Sequence, residues 1–232
     1  MTVPIDSLCA RPATLSPAQA ATVGVPFLTA WLCLRTVTGR NSKKTVAVFG
    51  AKGAVGSAAL QIARNRRAYT IAVQRGERDN PRAHAVVVSD DMAPAELAAA
   101  IRAAMQDGEP KVGVHLAVDT VGGALFDAGL AALRTGGELV TITAQGDGFV
   151  RLDLRDFYHE RLTLRGEDSL KVGVVEAAAV LRELAPGFES GAFAPQSGIE
   201  TVSLADAPAA YRRLADAQKA GSGSPAKVVI VP

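Results

Sequence analysis

The stretch Phe49-Gly50-Ala51-Lys52-Gly53-Ala54-Val55-Gly56-Ser57 constrains this chain more than any other. It follows Thr45-Val46-Ala47-Val48-Phe49, an apolar run that reads as a buried strand. It opens a segment, 54–64, whose Ala, Leu and Ile residues fall on one helical face. A chain that leaves a strand and enters a helix over so few residues must turn sharply. Small residues allow that turn, let backbone amides approach a ligand closely, and at Gly56 permit close helix–strand contact. The first amides of a helix lack intrahelical partners and carry partial positive charge, so such a turn suits a phosphate. Ala51 occupies the first glycine position of the G-x-G-x-x-G pattern that binds a dinucleotide pyrophosphate, and the strand-turn-helix context is the one that pattern requires.

The segments that follow alternate. Strands are expected over 69–74, 83–88, 112–120, 138–144 and 162–165, and helices over 94–106, 124–134 and 172–184. Continuous apolar strands alternating with helices imply a parallel sheet covered on both faces. The fold class is therefore α/β, a Rossmann-type doubly wound parallel sheet, with a remnant of a second lobe from the N- and C-terminal segments. At the N-terminus, Ser16-Pro17-Ala18-Gln19 reads as a helix start with Ser as cap. Pro26 is expected to end that helix near 24–25 and to begin another that runs to about 37. A polar turn is expected over 41–44. In the tail, a strand over 199–204, a helix over 207–217 capped by Asp206, a flexible link over 221–225 and a last strand over 227–231 are expected. The domain organisation is 1–40 as a helical remnant of the second lobe, 41–190 as the dinucleotide-binding domain, and 191–232 as a helix-strand segment of the second lobe.

Composition excludes several classes. Of the 232 residues 48% are hydrophobic and 21% charged, and the net charge is only +2, which points to neither nucleic acid nor membrane as a partner. Cys9 and Cys33 have no ligand-like spacing, so no metal site is expected, and both read as small buried apolar residues. The N-terminal residues lack the apolar core of a signal peptide, and the apolar run 23–34 is too short to span a bilayer. A reduced, cytoplasmic setting is expected.

The end of the second strand should meet the adenosine ribose, where an acidic residue favours NAD. This chain has Gln74-Arg75-Gly76-Glu77-Arg78. Arg75 and Arg78 match the oxygens of a 2′-phosphate, which favours NADP(H), although Glu77 lies between them. The alternative is that both arginines are solvated surface residues. No residue stands out as a general acid or base. His84 and His115 fall at or in expected strands and read as hydrogen-bonded packing residues. Tyr158-His159, in the expected loop before the sixth strand, is either a proton donor for hydride transfer or a surface pair.

With these motifs in place, the chain resembles the medium-chain dehydrogenase/reductase superfamily, in particular its zinc-free quinone oxidoreductase and enoyl reductase branch. The matching stretches are 15–31, Gly50–Ser57, Val118-Asp119-Thr120-Val121-Gly122-Gly123, 133–142 and Lys227–Val231. The resemblance implies that the backbone at Gly53, Ala54, Val55 and Gly56 faces the pyrophosphate. It places Arg78 where relatives often carry a Lys for the 2′-phosphate, Thr143 and Ala144 near the nicotinamide, and Asp168 and Ser169 at the border of the same pocket. Asp119 is either part of that site or the cap of the turn that starts the next helix. Three departures accompany the resemblance. Such relatives begin with a barrel-like domain that holds much of the substrate pocket, and nearly all of it is absent from this sequence. The segment between Arg78 and Ala83 is too short for the usual helix. Ser89-Asp90 stands where relatives often have Tyr-Arg, and an aspartate there opposes a 2′-phosphate.

The resemblance implies an NADPH-dependent oxidoreductase acting on quinones or electron-poor C=C bonds, in truncated form. The alternatives are a nucleotide-binding protein with a regulatory or interaction role, a non-redox enzyme on the same scaffold, or a piece of a longer protein. Phe27, Leu28, Trp31 and Leu34 are expected to need cover that the absent barrel would give, and the sixth strand is expected to lie at a sheet edge. Both expectations imply a homodimer, or a partner chain that replaces the barrel.

Overall fold

The computed structural model describes residues 2–38, 43–77, 79–108, 110–220 and 227–232. Residues 41 and 42 of the expected turn at 41–44, and the whole of the link at 221–225, lie outside them. The chain divides into two compact units. One comprises Phe27–Gly173, the other the residues up to Pro26 together with those from Val174 onward. The boundaries expected from sequence were 40 and 190. The difference arises because the second half of the first helix belongs to the sheet unit, while the helix after Gly173 packs with the N-terminal segment.

The larger unit holds a six-stranded sheet: β1 Thr45–Phe49, β2 Tyr69–Gln74, β3 Ala85–Val88, β4 Val114–Asp119, β5 Leu133–Thr141 and β6 Thr163–Gly166. The order is β3-β2-β1-β4-β5-β6 with every pair parallel, the doubly wound arrangement. All five residues of β1 are buried, which is why its sequence is apolar without alternation. Phe49, Ile71, Val73, Ala117 and Leu139 face Leu97, Ile101, Phe126 and Ala128, which come from helices α3 Pro94–Ala103 and α4 Ala124–Ala131. The alternate residues Val46, Val48, Leu116, Val118 and Val140 are also buried, and α2 Ala54–Asn65 packs on β1 and β2. Among the described residues no helix joins β2 to β3.

Helix α1 runs unbroken over Pro17–Cys33, with Pro26 inside it, rather than as two helices. A mid-helix proline costs about 3 kcal/mol. Phe27, Leu28, Leu32 and Leu34 beyond it are buried, at roughly 1.5–3 kcal/mol each, so burial outweighs the lost backbone bond. The start follows the sequence reading: Gln19 N–H donates to Ser16 Oγ, and Ser16 N–H to Gln19 Oε1. The end of α1 is fixed in the sheet unit. Arg165 of β6 donates to the carbonyls of Leu32 (3.1 Å) and Cys33 (2.9 Å) and pairs with Glu138 (2.5 Å) and with Glu167. Burial alone would lower the Arg165 pKa, but hydrogen bonds and charge from Glu138 and Glu167 outweigh it and hold the pKa above its ordinary value. The expectation that Phe27, Leu28 and Leu34 lack cover is therefore corrected. Trp31 is half-buried, with Arg66 over its ring at 5.9 Å.

In the smaller unit, α6 Val174–Glu189 receives the N-terminal segment: Arg182 donates to Leu8 O, and Glu189 accepts from Ala13 N–H. A separate parallel pair, β7 Ile199–Ser203 and β8 Lys227–Val231, flanks α7 Ala207–Lys219 in sequence. Arg213 of α7 pairs with Glu200 of β7 at 2.7 Å. Asp206 directly precedes α7, and its carboxylate accepts from Ser203 Oγ at 2.6 Å. Cys33 is buried but Cys9 is exposed, which corrects the reading of both as buried. Among the described residues no helix is long and apolar enough to cross a membrane.

Candidate functional site

A cleft of about 640 Å³ opens at the C-terminal ends of β1, β2 and β4, at the point where the strand order reverses. Ligands of open α/β sheets bind at that place, and the volume lies in the range of small-molecule sites. The phosphate turn forms one wall through Gly50, Lys52 and Gly53. The end of β2 and the loop after it contribute Gln74 and Arg75, and the β4–α4 turn contributes Thr120, Val121 and Gly122.

The turn is locked from both sides. Gly50 has φ +73°, and a Cβ there would stand 2.4 Å from Thr120 Oγ1. A Cβ on Gly56 would stand 2.3 Å from Gly50 O and 2.9 Å from Ala51 Cα, so α2 sits against the turn as only glycine allows. Gly50 and Ala51 donate their N–H groups to Val73 O, and Gly53 donates to Gly50 O at 2.8 Å. Ala51 is buried beneath the turn, with its amide turned to β2 rather than to the cleft. The amides of Ala54, Val55 and Gly56, the first of α2, have no carbonyl four residues back within the helix; these residues follow the turn directly but do not line the cleft, and Gly56 is buried. Asp119, fully buried, accepts from Val121 N–H (2.9 Å) and Gly122 N–H (2.8 Å) through Oδ1, so it caps the turn of the cleft floor. Its Oδ2 has no partner among the described residues.

The other expected site residues are distributed as follows. Arg75 is exposed and lines the cleft, whereas Arg78 lies outside the described residues. Thr143 and Ala144 are exposed beyond β5 and back onto the Gly122 turn. The next residue, Gln145, lines the cleft. Ser169 accepts from the Thr29 hydroxyl at 2.9 Å and does not line the cleft. Asp168 caps its own short turn by accepting from Leu170 N–H. Asp90 accepts from Gly76 N–H at 2.6 Å, which commits one of its oxygens to the loop backbone.

Tyr158-His159 is not in a loop. It ends α5 Leu154–His159, a short helix that Asp153 starts by accepting from Arg155 and Asp156 N–H groups. His159 lines a different hollow, of about 890 Å³, beside Val112, Leu133 and Leu162, which precede or begin β4, β5 and β6. In a parallel sheet that is the end opposite the cleft, so the pair does not reach a reaction centre there. His115 Nδ1 accepts from Thr45 N–H, and its Nε2 lies 2.9 Å from Arg134. His84 Nδ1 accepts from Thr70 N–H, and burial, followed by the charge of Arg64, lowers its pKa. Sequence reasoning missed Lys52, Thr120 and Gln145. The rule that the loops after parallel strands line the site would have pointed to the last two, and Lys52 lay inside the motif itself.

The fold and the position of the cleft define a Rossmann-like, doubly wound α/β protein. A family model for zinc-binding dehydrogenases matches residues 83–229. The chain belongs to this family, within the medium-chain dehydrogenase/reductase superfamily. A zinc-type alcohol dehydrogenase-like protein of Schizosaccharomyces pombe is 33% identical over 194 residues, which are 82% of this chain and 55% of that protein. Two mycobacterial structures share the fold. A quinone oxidoreductase matches with a TM-score of 0.79 at 24% identity, covering 98% of this chain and 68% of that one. Rv1454c complexed with NADPH matches at 0.77 and 23%, covering 97% and 68%. The chain thus spans about half the length of the S. pombe relative.

The family name implies zinc, and these residues do not suit it. Among the described residues no three His, Cys, Asp or Glu side chains stand close enough to hold a metal ion. His84 and His115 present their ring nitrogens to Thr70, Thr45 and Arg134, and burial pushes the Cys33 thiol up to about 12. A dinucleotide does suit the cleft, since the narrow turn at the head of α2 and a cation at the end of β2 match its phosphates.

Proposed function

We propose that the chain is the cofactor-binding part of an NADPH-dependent oxidoreductase of the quinone and enone reductase type. The narrow glycine turn at the head of α2, lining a cleft that ends at Arg75, carries this reading. When bound, NADPH supplies a hydride to the electron-poor carbon or quinone oxygen, and solvent supplies the proton that completes the reduction. The chain's own part is to hold the pyrophosphate on α2, to seat the adenosine between the β1 and β2 loops, and to present the nicotinamide beside Thr143, Ala144 and Gln145. Among the described residues the titratable side chains lining the cleft are Lys52 and Arg75, which fits chemistry that needs no strong protein acid. The substrate side would be completed by residues outside this stretch, from a second copy, a barrel-bearing partner or a longer form of the chain. β6 at the sheet edge, with Leu164 40% exposed, is the surface through which two copies would pair.

Calorimetric titration with NADPH tests the cofactor site. Gly53→Asp, which sets a negative charge against the pyrophosphate, is expected to weaken binding at least about tenfold. Unchanged affinity would refute the site. Loss of nicotinamide absorbance on adding a simple quinone tests the reaction, and tight binding without turnover would favour a nucleotide-binding role instead. Sedimentation at micromolar protein tests the pairing, which a single-chain mass would exclude.

A further inference from the structure

Charge at the adenosine end of the cleft is arranged by a pair of residues whose types the nucleotide pattern does not specify. Lys52 stands in the phosphate turn, and its Nζ reaches across to Glu77 Oε2 at 3.0 Å, in the loop after β2. This ion pair spans the two loops between which an adenosine ribose sits in folds of this kind. The residue that usually serves the ribose hydroxyls does not do so here. Gln74 is buried, its Nε2 donates to the carbonyls of Glu77 (2.8 Å) and Asp79 (3.2 Å), and its Oε1 accepts from Asn80. The loop is thus shaped from inside by Gln74 and from outside by Asp90 on Gly76 N–H. Among the described residues Lys52 and Arg75 are the charged side chains that line the cleft, with Glu77 paired to Lys52.

The side chains of Lys52 and Glu77 are 47% and 76% exposed, so solvent screens their attraction and the pair is weak. A phosphate carries more charge than a carboxylate and offers more acceptor oxygens, so it competes for the ammonium effectively. We propose that Lys52 is a specificity-determining residue that exchanges Glu77 for the 2′-phosphate of NADPH, and that Glu77 tempers the preference by competing for Lys52 and repelling the phosphate. The proposal rests on the dinucleotide reading of the cleft. It makes Lys52, beside Arg75, the discriminator between NADPH and NADH, and turns Glu77 from an NAD signature into a brake on NADP selectivity.

The test is the dissociation constant of each cofactor for wild type, Lys52→Gln, Glu77→Gln and the double variant, measured by calorimetry. Both side chains are solvent-accessible, so the variants should melt with the wild type. Lys52→Gln is expected to weaken NADPH about tenfold while changing NADH less than about twofold. Glu77→Gln is expected to tighten NADPH about two- to fivefold, and this gain should vanish when Lys52 is also replaced. If wild type binds NADPH and Lys52→Gln weakens both cofactors equally or neither, this inference falls and the cleft reading stands. If wild type binds neither cofactor, both fall.

Discussion

Gly56→Ala isolates the contact on which the phosphate turn depends. In an ordinary helix this change is favourable by about 1 kcal/mol, because glycine has more conformational freedom to lose. Here the added Cβ would lie 2.3 Å from Gly50 O and 2.9 Å from Gly50 C and Ala51 Cα. Ordinary contacts begin at 3.4 Å, so the first shortfall is 3.4 − 2.3 = 1.1 Å, and all three atoms are backbone that cannot rotate aside. Helix α2 must retreat by about that distance, which loosens the buried Ala58, Ala59 and Ile62. Overpacking of this kind costs about 1–3 kcal/mol, and the rigid partners place it at the upper end. After the helix-propensity gain, a net loss of about 2 kcal/mol remains, or about 4–8 °C in Tm for a chain of this length. Gly24→Ala is the matched control. Gly24 is also helical, and a Cβ there meets nothing within 4 Å, so this variant should gain about 0.5–1 kcal/mol. Differential scanning calorimetry of the two variants decides the matter. A Gly56→Ala protein that melts at or above wild type would show that the helix does not rest on the turn as described, and NADPH affinity should fall together with its stability.

Three further outcomes follow from side-chain environments. Arg165→Met would strand the Glu138 and Glu167 carboxylates and leave the carbonyls of Leu32 and Cys33 without their donor, at about 2–3 kcal/mol by denaturant titration. Glu138→Gln should cost less, since it removes one charge but keeps the oxygen. The folded state holds the His84 pKa below its ordinary value, so the native protein resists protonating it. Stability is therefore complete above the unfolded value of about 6.5 and is lost as pH falls from there through the folded pKa. His84→Asn, which keeps an acceptor for Thr70 N–H, should flatten that part of the pH–stability curve, and an unchanged curve would remove His84 as its cause. Burial pushes the Cys33 thiol up to about 12, while Cys9 is exposed, so a thiol reagent at neutral pH should label one cysteine in the native protein and both in denaturant.

The sequence by itself determined the parts of this protein that short-range rules govern. The apolar run of β1, the glycines of the turn and the Ala-rich face of α2 specify strand, turn and helix within about twenty neighbouring residues, where sterics and periodicity act locally. The bounds of β2 and β8 follow from the same rules, and the parallel sheet follows from strands too apolar to face water. Tertiary structure decided what depends on residues far apart in the chain. Pro26 reads locally as a helix end, yet burial of Phe27, Leu28 and Leu32 carries α1 through it. Tyr158-His159 has the chemistry of a proton donor, but the direction of the parallel strands places it at the wrong end of the sheet. The turn pattern marks Ala51, yet pairing with β2 turns its amide away from the cleft. Lys52 meets Glu77 only because β1 and β2 lie side by side in register from Thr45 with Tyr69 to Phe49 with Val73. Local preference is worth tenths of a kcal/mol to about 1 kcal/mol per residue, and burial or a strand neighbour is worth more, so wherever the two disagreed the long-range contact prevailed.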